Sequence, residues 1–223
     1  MSSLSPVSIT ALRSLPMFES LGNERLAKIA GFASLRQVPR HTAVLQAGDH
    51  TDNIYLILTG ELKVQISDQE GREVILSMLG TGEMFGEMGV IDDHPRSATV
   101  ISAEPCDLVV IPKDDFKACL EENFEVSLYI IRNLVKRLRN ADRKIESLAL
   151  IDVYGRVARL LLEMAETENG RKVVRRHITR QDIAKTIGAS REMVSRVMRD
   201  LQTQGLIEEV DGCIWLREEI AGT

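Results

Sequence analysis

The chain has 223 residues, 44% hydrophobic and 27% charged, with a formal net charge of −5, which suits one large or two small cored domains and excludes a low-complexity chain. Cys106, Cys119 and Cys213 are scattered without CxxC spacing, so neither a disulfide framework nor a zinc or iron–sulfur site is indicated, and no metal is expected. Met1 to Thr10 lacks a signal-peptide pattern and no apolar run is long enough to span a bilayer, so a cytoplasmic location without a membrane partner is expected.

Leu12, Leu15, Phe18, Leu21, Leu26 and Ile29 are the apolar positions of short helices around a break at Pro16. From Leu35 to Pro112, short runs of Val, Ile and Leu alternate with turn signals such as Gly48-Asp49, Asp68 to Gly71, Gly80-Thr81-Gly82 and Asp92 to Pro95. Regular spacing of this kind predicts an antiparallel sandwich or barrel. Ile54 to Val64 reads as its clearest hairpin, with Gly60 at the corner.

Within this region Phe85-Gly86-Glu87-Met88-Gly89 is followed at a short distance by Arg96-Ser97-Ala98. Glycines let the backbone approach a ligand and expose its amides, a surface that suits an anion. Arg96 offers a planar fork for two phosphate oxygens, and Ser97 a hydroxyl donor. The acceptor-only carboxylate of Glu87 suits a sugar hydroxyl instead. Glycine, acid and arginine together fit a cyclic or sugar phosphate, whereas each piece alone fits a plain turn or a surface ion pair.

Asp114 to Asn123 reads as a helical lead-in to one long helix, Phe124 to Ile151, uninterrupted by Pro or Gly and about 40 Å long at 1.5 Å per residue. Ile131, Leu134, Leu138, Ala141, Ile145 and Leu148 alternate steps of three and four, the seam of a helix packed lengthwise on a like helix. A homodimer is expected, with Arg132, Lys136, Arg137, Arg139, Arg143 and Lys144 in water around the seam. The same helix connects regions unlike in kind, giving three parts: 1–123, 124–151 and 152–223.

After it, Val153 to Glu166 is amphipathic, Glu168-Asn169-Gly170 ends that helix, and Lys172 to His177 reads as a short strand. Helices over Gln181–Ile187 and Arg191–Gln202 flank Gly188, and Leu206 to Leu216 reads as a hairpin turning at Asp211-Gly212. Together these make a winged helix-turn-helix. Between Arg171 and Arg199 the only acids are Asp182 and Glu192, so this part is locally basic, which matters more to a polyanion than the net charge. Thr179 caps the first helix, next to Arg180, and Ser190 caps the second. Arg191, Glu192, Ser195 and Arg196 share one face, a set that can read guanine and cytosine in the major groove.

The cassette Phe85–Gly89 with Arg96-Ser97-Ala98 resembles that of the cyclic-nucleotide-binding β-rolls. The whole layout, from about Leu12 to Leu216, resembles the bacterial catabolite activator and fumarate–nitrate regulator family. That resemblance implies an α+β chain made of an N-terminal antiparallel β-roll, a dimerisation helix and a DNA-binding winged helix-turn-helix. It implies ligand contacts at Gly86, Glu87, Met88, Arg96 and Ser97, with Glu87 on the ribose 2′-hydroxyl and Arg96 and Ser97 on the cyclic phosphate, and DNA contacts at Thr179, Arg180, Ser190, Arg191, Glu192, Ser195 and Arg196. Arg191, Glu192 and Arg196 stand where the catabolite-activator branch reads bases, which implies inverted repeats of TGTGA-type half-sites and, for an activator, RNA polymerase as partner. Ser195 is the fumarate–nitrate residue type, but that branch lacks the first arginine.

Two departures bear on the ligand. The Thr–Ser pair that reads adenine in the cyclic-AMP branch is replaced by Ala141 and Asp142. Acceptor-only Asp142 suits the two adjacent donors of guanine, so cyclic AMP is expected from the cassette, with cyclic GMP or cyclic di-GMP as rival. The cysteine cluster of the oxygen-sensing branch is missing, and His41, His50 and His94 are lone loop residues that do not argue for haem.

The expected function is a homodimeric DNA-binding transcription regulator controlled by a nucleotide; the alternative is a regulatory module acting on a partner protein. No nucleophile–base pair, metal cluster or Walker loop suggests an enzyme. The residues leave the sign of regulation open. Arg96→Leu is expected to abolish nucleotide binding with thermal stability near wild type.

Overall fold

The computed structural model describes residues 4–50, 52–168, 170–175 and 178–217, and the chain packs as two units, Met1–Arg137 and Leu138–Thr223. In the first, β1 (Leu4–Pro6), α1 (Ile9–Arg13) and α2 (Asn23–Phe32) precede eight strands: β2 (Ser34–Val38), β3 (Ala43–Leu45), β4 (Asn53–Thr59), β5 (Leu62–Ser67), β6 (Glu73–Leu79), β7 (Met84–Phe85), β8 (Thr99–Ser102) and β9 (Cys106–Pro112). A short helix α3 (Glu87–Ile91) interrupts them after β7, and α4 (Lys113–Glu122) leads into α5 (Phe124–Leu150). The strands form two antiparallel sheets, a five-stranded one in the order β1-β2-β9-β4-β7 and a four-stranded one in the order β3-β8-β5-β6.

Central strands β4 and β9 read as unbroken apolar runs because both of their faces are covered. Side chains alternate across a strand, so Ile54 and Leu56 enter a core shared with the helices, while Tyr55 and Ile57 enter the core between the sheets. Val109 and Ile111 of β9 join the first core, and Leu108 and Val110 the second.

The expected hairpin over Ile54–Val64 does not form. β4 pairs with β9 and β7, and β5 with β6 and β8, so the chain changes sheet at Gly60, whose φ is 89°. A Cβ there would sit 2.5 Å from the carbonyl oxygen of Pro105 and 2.6 Å from Cys106 Sγ, so the crossing requires glycine. The hairpin that does form joins β5 to β6, where Asp68 accepts backbone hydrogen bonds from Glu70 and Arg72, both at 2.9 Å.

Helix α5 is a single run of 27 residues. Val126 and Ile130 are buried in the helix-side core, and Leu134, expected in the seam, packs partly against that core. Val135 is turned outward instead, in line with Ile131, Leu138 and Ile145, the last two 62% and 65% exposed.

In the second unit α6 (Val153–Met164) starts at the cap Asp152, which accepts from the Gly155 amide at 2.8 Å. It stops before the expected Glu166, because β10 (Glu166–Glu168) pairs with β11 (Arg171–Val174). These strands extend the wing hairpin of β12 (Ile207–Val210) and β13 (Cys213–Leu216) into a four-stranded sheet, β10-β11-β13-β12. Arg176 and His177, the end of the expected strand, and Asn169 lie outside the described residues. α7 (Arg180–Ile187) and α8 (Arg191–Thr203) pack with α6 on a core that includes Val157, Leu161, Ile183, Val194 and Leu201.

Candidate ligand pocket and nucleic-acid interface

β7 ends at Phe85, stacked on Tyr55 with ring centroids 5.0 Å apart, and Gly86 turns the chain through φ 85° into α3. That turn carries Glu87 inward, leaving it 1% exposed. Its Oε1 accepts from Arg137 Nη1 at 2.7 Å, and Arg137 Nη2 donates to the Met84 carbonyl. Its Oε2 is buried without a hydrogen-bond partner. Burial pushes the Glu87 carboxyl above its usual range, against the opposing pull of Arg137, of its own amide and of Arg96.

Arg96 is buried too, its Nη1 donating to the Gly86 carbonyl and its Nη2 to that of Asn53, the latter at 2.7 Å. Both cassette glycines lie against this side chain. A Cβ at Gly86 would sit 3.1 Å from Arg96 Nη1, and one at Gly89 would sit 2.7 Å from the His94 carbonyl and 3.5 Å from Arg96 Nη1. Structure thus brings Gly86, Glu87, Gly89 and Arg96 together, with Ser97 exposed beside them and Met88 49% exposed. Ala141 and Asp142 are exposed on α5, within the second unit. Arg137, expected in water, is the residue missed. Nothing in the periodicity distinguishes it from the other basic residues of α5, since only the tertiary fold sets it opposite Glu87.

An unpartnered buried carboxylate oxygen needs a donor, and a hydroxyl supplies one. A fixed guanidinium near the same carboxylate fits an anionic group on the same ligand. The residues present therefore fit a sugar phosphate. Among the described residues no three or more His, Cys, Asp or Glu gather as a metal site.

The second site is built on α7 and α8. Thr179 and Asp182 form a reciprocal cap, with Thr179 Oγ1 accepting from the Asp182 amide at 3.0 Å. Gly188, at φ 65°, ends α7 in the left-handed turn, and Ser190 caps α8 by accepting from the Met193 amide at 3.1 Å. Val194, Val197, Met198 and Leu201 are buried, as their spacing predicts. Ser190, Arg191, Glu192, Ser195, Arg196 and Arg199 line one open concavity. Among the described residues Arg191, Glu192, Arg196 and Arg199 form no ion pair, so this face is not a self-satisfied salt-bridge surface. Arg199 was not singled out as a site residue from the sequence, although it stands two turns beyond Arg191. Ser195 Oγ donates to the Arg191 carbonyl at 2.9 Å, which leaves that oxygen only as an acceptor for a base. Arg180 is ion-paired with Glu209 of β12.

Two family models match the chain: a cyclic nucleotide-binding domain over residues 35–123 and a Crp-like helix-turn-helix domain over residues 155–219. The cAMP-activated global transcriptional regulator CRP of Haemophilus influenzae is 33% identical over 180 residues, spanning 78% of this chain and 79% of that protein. The cAMP-activated global transcriptional regulator Vfr of Pseudomonas aeruginosa is 32% identical over 194 residues, spanning 82% and 89%. Among solved structures, the c-di-GMP responsive global regulator CLP of Xanthomonas campestris superposes with a TM-score of 0.76 at 28% identity, covering 87% of this chain and 99% of that one.

Proposed function

The chain belongs to the CRP/FNR family of transcription regulators, which are not enzymes, and from that premise we propose that it is a homodimeric, sequence-specific DNA-binding regulator controlled by a cyclic nucleotide. The observation that carries the ligand reading is the buried, unpartnered Oε2 of Glu87 beside the carbonyl-bound Arg96. A ribose hydroxyl would donate to that oxygen, and the cyclic phosphate would lie on Arg96 with Ser97, near the Gly86 turn and Met88. Two curated relatives are named as cAMP-activated, which with the cassette favours cyclic AMP.

A guanine ligand, cyclic GMP or cyclic di-GMP, is the second reading. It is supported by the replacement of two hydroxyl residues with Ala141 and acceptor-only Asp142, and by a solved neighbour named as c-di-GMP responsive.

For DNA, Arg191 and Arg196 would read guanine, Glu192 a cytosine amino group, and Ser195, with its hydrogen already engaged, an amino donor. Thr179, Arg180, Ser190 and Arg199 would hold phosphates. A two-fold dimer reads an inverted repeat, here of TGTGA type. The nucleotide acts by binding one helix-pair arrangement better than another, shifting the population through α5 and the residues Ile151 to Val153 that follow it, which would serve as a hinge. RNA polymerase is the further partner if the outcome is activation.

Calorimetry of the full chain against cyclic AMP, cyclic GMP and cyclic di-GMP tests the ligand. Heat from none of the three would sink the cassette assignment, and binding by the Glu87→Ala variant as tight as by wild type would remove Glu87 from it.

A further inference from the structure

The wing of this molecule is acidic where it lies nearest the helix-turn-helix. Glu208, Glu209 and Asp211 are exposed on β12 and its turn. Such charges oppose a polyanion, yet two of them are engaged, Glu209 the more closely. Glu209 Oε1 accepts from Arg180 Nη2, and both side chains are about one-third exposed, at 34% and 30%.

Arg180 is the first residue of α7, immediately after the Thr179 cap. The first helix of a helix-turn-helix crosses the DNA backbone, and helix N-termini favour anions, so the chemical partner of Arg180 in a complex is a phosphate oxygen. In the DNA-free chain a carboxylate holds the same guanidinium. Glu208, its neighbour, stands 4.0 Å from Arg171, whose guanidinium also lies 5.1 Å over the Trp215 ring. The two wing carboxylates are therefore tied to different elements, Glu209 to the reading head and Glu208 to the sheet.

We propose that Glu209 stands in for a DNA phosphate on Arg180, so that binding exchanges one anion for another and the wing sets the affinity of the reading head. This rests on the reading of the second unit as a DNA-binding domain. The exchange has two consequences. Arg180 is held preorganised on the DNA-facing end of α7, and the net gain from its phosphate contact is reduced by the loss of the internal pair.

The test is a double-mutant cycle on the full chain, with fluorescently labelled duplexes carrying an inverted repeat of TGTGA half-sites or its scrambled sequence, each with and without cyclic AMP. Glu209→Gln is expected to tighten binding to both duplexes by about two- to fivefold at low salt, the range for pairs of this exposure. That gain should shrink as salt rises, since salt already screens the internal pair. In an Arg180→Ala background the same substitution should give no gain, and Glu208→Gln should give none in either background.

A gain from Glu209→Gln that survives in Arg180→Ala, or an equal gain from Glu208→Gln, would mean the wing acts only through its total charge and would overturn the exchange. No gain in the wild-type background would overturn it as well. Thermal melting of each variant guards against a folding effect, and Glu209→Ala provides a second removal of the carboxylate. If the wild-type chain binds neither duplex at low salt in any condition, the DNA-binding reading itself falls, and this inference falls with it.

Discussion

Glu87 is paired on one oxygen and unpartnered on the other, and its raised carboxyl pKa links the pocket to pH. A carboxyl whose folded pKa lies above the unfolded value binds its proton more tightly in the folded chain. Its contribution to stability is therefore complete below the unfolded value near 4.5 and is lost as pH rises through the folded value. Glu87→Gln should remove that portion of the slope, so the variant's denaturation midpoint relative to wild type should be higher at neutral than at acid pH. The contacts of Arg96 argue against a thermally silent Arg96→Leu at the same scale. Because its guanidinium satisfies the Gly86 and Asn53 carbonyls, Arg96→Leu should not be thermally silent but cost about 1–3 kcal/mol. Loss of nucleotide binding in that variant would then mix chemistry with stability. Ser97→Ala is the cleaner probe. It is exposed, so its melting temperature should match wild type while calorimetry shows weaker nucleotide binding.

At the scale of elements, the crossing at Gly60 and the face of α5 carry the sharpest expectations. Gly60→Ala places a methyl against Pro105 and Cys106 at a positive φ. Strain of that kind costs about 1–3 kcal/mol, and urea denaturation should show it; an unchanged midpoint would mean the neighbours shift without penalty. On α5 the exposed residues Leu138 and Ile145 can be changed without opening any of the three described cores. Leu138→Glu with Ile145→Glu should give a folded monomer by sedimentation equilibrium, with wild-type circular dichroism. A variant that remains dimeric would place the dimer interface elsewhere.

For the whole molecule, the expectation concerns salt. If the concavity on α8 with Arg180 meets phosphates and bases, the logarithm of the binding constant for duplex DNA should fall linearly with the logarithm of salt, with a slope near −0.9 per phosphate neutralised. Arg199→Ala should lower that slope by about one for specific and scrambled duplexes alike, whereas Arg191→Ala should cost about 1–3 kcal/mol on the inverted repeat alone. A flat salt response would favour a winged helix that docks a protein instead.

What the residues settled without coordinates was local. The 3.6 periodicity of α7 and α8, the caps Thr179 and Ser190, the Gly188 turn and the Asp211-Gly212 turn are written in neighbouring residues, and each forms where its pattern predicts, whereas α6 ends short of the expected Glu166 because strand pairing takes over. The long helix and the antiparallel strands were legible for the same reason, since period and punctuation are properties of short stretches. Pairing was not. The apolar runs at Ile54–Val64 look the same whether they form a hairpin or belong to two sheets, because strands buried on both faces lose the alternation that assigns them. Arg137 reads like any other basic residue of α5, and Glu209 like any wing acid, until the fold sets one against Glu87 and the other against Arg180. Those contacts join residues far apart in the chain, and no local pattern encodes them; the packing of the elements decides which charges meet.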